Sequence, residues 1–213
     1  MNEVILAARA LSRHGLVHAY GHVSARVDAN TFIVTGPHPL RNAKDVITCT
    51  LTELAPGALP EVRIHQAIYR ARPEVGGICR FQSPSVMALS ACRQTPRALH
   101  GLGTYFAPHP PLWDDPLLVR DDERAAAVAS QLGANRAIVL RGNGAVTVGG
   151  NVREAACHAF FLEDAAALEL KLNGRASTPY TADQAARRAN SADKQLYDRM
   201  WEFLLGDDYE EVR

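Results

Sequence analysis

Glu61 and His65 stand four residues apart, a spacing that would set a carboxylate and an imidazole on one helix face and so suggests half of a metal site. No third ligand accompanies them, so His65 reads more readily as a packing or orienting residue than as a ligand. Arg80 falls in the apolar run from Val75 to Phe81. A guanidinium keeps its proton at ordinary pH and cannot become a ligand. Buried in a strand, it would need a paired acid, and Glu61 is the obvious one. Asn143 lies between Gly142 and Gly144, where the backbone can turn sharply and approach another group; a left-handed turn residue is the alternative reading. His22, Ser24 and Arg26 occur in a short strand-like run, and the segment Thr35-Gly36-Pro37-His38-Pro39 follows a second one. His14, His18, His100 and His158 have no accompanying motif and read as structural histidines, while His109, among prolines, reads as a surface residue.

These residues need elements to hold them. Apolar positions at 4, 5, 8 and 11 predict a helix from Val4 to His14, stopped by Gly15. Residues 22–27 and 31–35 flank Asp28-Ala29-Asn30 and predict a hairpin. Pro37 and Pro39 lack amide donors, so residues 35–39 form a loop directly after a strand. A helix is expected from about 60 to 71 with Pro60 near its first turn, a strand from 75 to 81, and a helix from Ser83-Pro84 through Cys92. The proline-rich segment 96–116 is expected to be mostly irregular, covering a site with Tyr105, Phe106 and Trp113. Beyond it come a helix at 121–132, strands at 136–140 and 145–148, a long helix from Asn151 to Gly174, and one final helix from Thr181 through Leu204. Alternating helices and strands indicate an α/β or α+β chain with a substantial sheet.

The chain has 213 residues, 47% hydrophobic and 22% charged, enough for one well-buried domain over residues 1–213. Its 23 basic and 23 acidic residues cancel, so there is no global field to draw a polyanion, and nucleic acid is an unexpected partner. No stretch is apolar for the roughly 18–20 residues a membrane helix needs. Arg9 cuts the apolar start at Val4–Ala8 short of a signal-peptide core, so a cytoplasmic protein is expected. Cys49, Cys79, Cys92 and Cys157 lack the close pairing of a zinc knuckle or redox motif and are expected as reduced thiols.

Five segments, in order, resemble the class II aldolase/adducin family. They are Gly21-His22-Val23-Ser24-Ala25-Arg26; Thr35-Gly36-Pro37; Glu61 to Tyr69 with Arg72-Pro73-Glu74-Val75; Ile78-Cys79-Arg80-Phe81-Gln82-Ser83-Pro84; and Leu140-Arg141-Gly142-Asn143-Gly144-Ala145-Val146 with Glu154-Ala155 and Glu163 beyond. His at the second place of the first segment brings it closer to the family's decarboxylase branch. The resemblance implies a three-layer α/β/α sandwich around a mixed, largely antiparallel sheet, and a cyclic homotetramer with active sites at subunit interfaces.

It also implies a lyase that cleaves a carbon–carbon bond beside a carbonyl, with decarboxylation or retro-aldol cleavage of a small hydroxy-aromatic or keto acid as the expected reaction. By this resemblance Glu61 is the catalytic carboxylate. His22, Ser24 and Arg26 line the substrate pocket, and Thr35, Gly36 and His38 receive an anionic group. In metal-dependent relatives three histidines hold a divalent cation; here those positions are Arg80, Gln82 and Asn143. Two readings follow. In one, Arg80 replaces the cation, with Gln82 and Asn143 beside a small anionic substrate and neither metal nor other cofactor. In the other, the site has decayed into a catalytically silent, adducin-like binding protein or the partner of an active paralogue. A metal returned through Glu61, His22 or His65 is a third, less favoured, arrangement.

Overall fold

A computed structural model describes residues 2–191 and 194–206. Seven strands form a single sheet in the order β3-β2-β1-β4-β7-β6-β5. They are β1 (His22–Arg26), β2 (Thr31–Thr35), β3 (Val46–Thr50), β4 (Gly77–Phe81), β5 (Leu112–Trp113), β6 (Ala137–Leu140) and β7 (Ala145–Gly149). Only β5 and β6 run parallel; every other neighbouring pair is antiparallel. The helices are α1 (Glu3–Arg13), α2 (Arg63–Ala71), α3 (Pro84–Ala91), α4 (Asp122–Leu132), α5 (Val152–Leu172), α6 (Ala182–Asn190) and α7 (Lys194–Leu205).

The layers follow from alternation along the strands. Ile78 of β4 and Val146 and Val148 of β7 pack with Ile64 and Ile68 of α2 and Val128 and Leu132 of α4. Val23, Cys79, Phe81 and Ala145 point to the opposite face, against α1, α3, α5 and α7. The result is the expected three-layer α/β/α sandwich.

Local chemistry sets the element ends. The Asp28 carboxylate accepts from the amides of Asn30 at 2.7 Å and Thr31 at 2.9 Å, closing the β1–β2 hairpin. The Asn2, Asp121 and Asn151 side chains cap α1, α4 and α5. Thr181 and Gln184 form a complete capping box at the start of α6.

The structure departs from the sequence expectations in three places. Strand β3, a β-branched run that extends the sheet beyond the hairpin, was absent from them. The helix expected from about 60 begins as a 3-10 turn over Pro60–Val62 before α2. The single final helix is two, α6 ending at Asn190 and α7 beginning at Lys194; just past the end of α6 the Ser191 hydroxyl donates to the Arg188 carbonyl at 2.8 Å.

Candidate active site

Position 22 of β1 lies directly opposite position 80 of β4. Opposed residues of an antiparallel pair share a face, so His22 and Arg80 both stand on the α2 side of the sheet. Ser24 follows two residues along β1 on that same side. From above, α2 lowers His65 and, one turn later, Tyr69, both completely or almost completely buried.

The four side chains form one hydrogen-bonded line. His22 Nδ1 is 2.7 Å from His65 Nε2, His65 Nδ1 is 2.6 Å from Ser24 Oγ, and Ser24 Oγ is 2.8 Å from Tyr69 Oη. Burial holds the pKa of His22 well below the ordinary imidazole value, with its neighbour His65 and the charge of Arg80 adding to the shift. His65 is lowered to about 3, first by burial and then by Arg80. Burial pushes the Tyr69 hydroxyl well above the usual phenol range. All three are uncharged at neutral pH.

Arg80 is 4% exposed. Its Nη2 donates to Asn143 Oδ1 at 2.6 Å, and Gln82 Nε2 donates to the same oxygen at 2.7 Å. The Asn143 and Tyr20 carbonyls take longer bonds of 3.3 and 3.4 Å, while Arg80 Nε is buried without a partner. Burial lowers the guanidinium pKa to about 10 and the charge of Glu61 works against that shift, so the cation persists at neutral pH.

Glu61 is not the ion-pair partner of Arg80. It lies in the 3-10 turn before α2, not on one α-helical face with His65, and its Oε1 accepts from Arg120 Nε at 2.8 Å. Among the described residues Arg80 has no carboxylate within ion-pair distance.

Asn143 is not the left-handed residue of its turn. Positive φ belongs to Gly142 at 66° and Gly144 at 81°, which frees the Asn143 side chain to reach Arg80. Glycine is required at 144, where a Cβ would lie 1.9 Å from the Phe81 carbonyl oxygen.

The other sequence candidates have different surroundings. Arg26 donates to the carbonyls of Val75, Tyr69 and Arg72 and sits 4.7 Å from the Tyr69 ring centre, tying β1 to the end of α2. Its donors are turned to the backbone, away from the pocket expected for it. Thr35 is buried, and its hydroxyl accepts from the Val23 amide at 3.2 Å; Gly36 donates its amide to the Asp45 carbonyl. His38 is about half exposed and 4.0 Å from Asp45. Tyr69 and Arg120 escaped sequence selection. The spacing of Tyr69 from His65 was a usable signal, whereas nothing local ties Arg120 to Glu61.

A divalent metal at positions 80, 82 and 143 does not fit these donors. Arg80 is a cation with only donor groups, Gln82 turns its amide nitrogen inward, and Asn143 Oδ1 already accepts from both. Among the described residues no group of three His, Cys, Asp or Glu side chains is placed to bind a metal ion.

Comparison with known proteins agrees with this fold. Residues 2–170 match the Class II Aldolase and Adducin N-terminal domain. A 3,4-dihydroxyphthalate decarboxylase from Arthrobacter keyseri is 27% identical over 190 residues, covering 79% of this chain and 77% of that protein. L-fuculose 1-phosphate aldolase from Glaciozyma antarctica PI12 superposes with a TM-score of 0.82 at 22% identity, over 99% of this chain and 90% of the other. YgbL from Escherichia coli, titled a putative aldolase/epimerase/decarboxylase, gives 0.76 at 22% identity, over 87% of this chain and 95% of the other.

Proposed function

The chain belongs to the class II aldolase and adducin family, and from that premise we propose that it is a decarboxylating lyase for a small carboxylated hydroxy-aromatic or keto acid, working without a divalent metal. The observation that carries this reading is the Arg80 guanidinium, 4% exposed, charged, and without a carboxylate partner among the described residues. A buried cation that lacks a counter-ion is stabilised by an anion that enters beside it.

In this mechanism Arg80 binds the substrate anion and steadies the charge that develops as the carbon–carbon bond breaks. One unit of positive charge replaces two, which favours substrates whose own ring or carbonyl spreads the electrons. Glu61, held by Arg120, takes a proton from solvent water and passes it to the substrate carbon, where the new C–H bond replaces the bond to the departing carbon dioxide, and is left as the carboxylate it began as. Asn143 and Gln82 orient the guanidinium.

The native assembly in this reading is a cytoplasmic homotetramer with its sites at subunit interfaces, needing neither nucleic acid nor membrane as partner. Among the described residues no helix is long and apolar enough to cross a bilayer.

The test is turnover of a panel of hydroxybenzoates and keto acids, before and after chelation, by untagged protein with its metal content measured by plasma mass spectrometry. Metal-free, chelator-resistant carbon dioxide release is expected. Stoichiometric metal with chelator-sensitive turnover overturns the metal-free mechanism. Metal-free protein inert on the whole panel overturns the enzymatic reading.

A further inference from the structure

We propose that Tyr69, Ser24 and His65 form a one-directional hydrogen-bond relay that fixes His22 as an Nε2–H donor beside Arg80, so that the two together make a subsite for a monoanionic carboxylate. The proposal rests on reading Arg80 as the anion-binding cation, and it adds what recognises the anion's charge state.

The direction follows from satisfying each hydrogen in turn. Tyr69 Oη is buried, and among the described residues its one hydrogen-bond partner is Ser24 Oγ at 2.8 Å. The phenol hydrogen must therefore be donated to Ser24, because a buried hydroxyl hydrogen without an acceptor is unfavourable. Ser24 is fully buried, and its other neighbour is His65 Nδ1 at 2.6 Å. Its hydrogen goes there, so His65 Nδ1 accepts.

A neutral His65 then carries its hydrogen on Nε2 and donates it to His22 Nδ1 at 2.7 Å. His22 in turn keeps its hydrogen on Nε2, an atom with no hydrogen-bond partner among the described residues. Reversing the line would leave either the Tyr69 or the Ser24 hydrogen stranded in the interior.

Charge settles what this donor is for. Burial and the neighbouring guanidinium both oppose an imidazolium at His22. A neutral imidazole whose Nε2–H is committed to the ligand anion neither takes up nor gives away a proton, which leaves proton transfer to Glu61. It also limits the subsite to the single positive charge of Arg80, since Glu61 is already offset by Arg120. A carboxylate matches that charge. A phosphate dianion would bring a second negative charge into a buried site that has nothing to neutralise it. Tyr69, Ser24 and His65 are positioning residues in this scheme, and His22 is the member that meets the ligand.

The test uses ¹⁵N-histidine-labelled protein and long-range ¹H–¹⁵N correlation near pH 7.5, with signals assigned through the conservative variant His22→Gln. Nε2–H tautomers at both His22 and His65 are expected; an Nδ1–H tautomer or an imidazolium at His22 overturns the proposal. Tyr69→Phe keeps the ring and removes the first donor. It should turn the His22 signal into a tautomer mixture and weaken 4-hydroxybenzoate binding, measured by calorimetry, by about fivefold. An unchanged His22 signal in that variant removes the relay.

On the intact protein 4-hydroxybenzoate should bind at least about tenfold more tightly than phenyl phosphate, and equal or tighter phosphate binding overturns the carboxylate assignment. Loss of turnover alone leaves the tautomers unaffected. Failure of the Arg80 reading has its own signature: unchanged 4-hydroxybenzoate affinity in Arg80→Met.

Discussion

Asn143 Oδ1 lies 2.6 Å from Arg80 Nη2 and holds the guanidinium through a neutral oxygen where an ion pair would use a carboxylate. The choice matters, because a neutral acceptor orients the cation without cancelling its charge. Asn143→Asp should supply the missing counter-ion, raise the midpoint of thermal unfolding, and weaken 4-hydroxybenzoate binding by at least about tenfold. Calorimetry of folding and of binding on the same sample checks both halves. Undiminished binding in a more stable variant would show that the anion sits elsewhere.

Arg80→Met removes a buried, uncompensated charge and keeps most of the side-chain volume. Removing the charge lifts its desolvation cost, which offsets the hydrogen bonds lost to Asn143 and Tyr20, so the variant should fold about as well as the parent while losing turnover. Urea unfolding and carbon dioxide release together test this. Retained turnover would take Arg80 out of the mechanism.

Glu61→Gln keeps an acceptor for Arg120 but cannot transfer a proton. The rate of turnover should fall by roughly 10²–10⁴-fold with little change in substrate affinity. Arg120 is 58% exposed in its side chain, so Arg120→Gln should cost at most about 1 kcal/mol of stability. Its effect should be confined to kcat and its pH profile. A loss of affinity in either variant would reassign Glu61 to binding.

Stability should fall on acidification. Burial lowers the pKa of His65 to about 3 and of His158 to about 4, and places His22 well below the ordinary value. The folded chain keeps these imidazoles neutral, whereas the unfolded chain protonates them below about pH 6.5. Unfolding therefore takes up protons, and the stability present above pH 6.5 drains away as the pH falls toward the folded-state values. Each histidine contributes a slope of up to about 1.4 kcal/mol per pH unit in that window. Urea unfolding at pH 7.5, 6 and 5 measures it, and equal stability at pH 6 and 5 would contradict neutral, buried imidazoles.

Assembly has a direct check. Light scattering at micromolar concentration should give four chain masses in solution. A stable monomer that still turns over substrate would refute an active site completed by a neighbouring subunit.

Apart from β3, most of the order of helices and strands was legible in the sequence because it depends on neighbouring residues: the period of apolar positions, Asn151 as a cap, Thr181 with Gln184, and Asp28 in the hairpin turn. The family could be read for the same reason, since its five segments are contiguous stretches of chain. The end of α6 at Asn190 was missed because no glycine or proline marks it.

Side-chain partnerships needed the tertiary structure. His22 and His65 are 43 residues apart, and Arg80 and Asn143 are 63 apart. Nothing along the chain states that Glu61 pairs with Arg120 instead of Arg80, or that Arg26 directs its donors to backbone carbonyls. The sequence alone determined that a cation and two amides, Arg80, Gln82 and Asn143, stand in the segments that resemble the family's. The crossing of α2 over β1 and β4 decided that this cation stays charged, has no ion-paired carboxylate among the described residues, and stands beside a neutral histidine, because burial and distance, unlike residue type, exist only once the chain has packed.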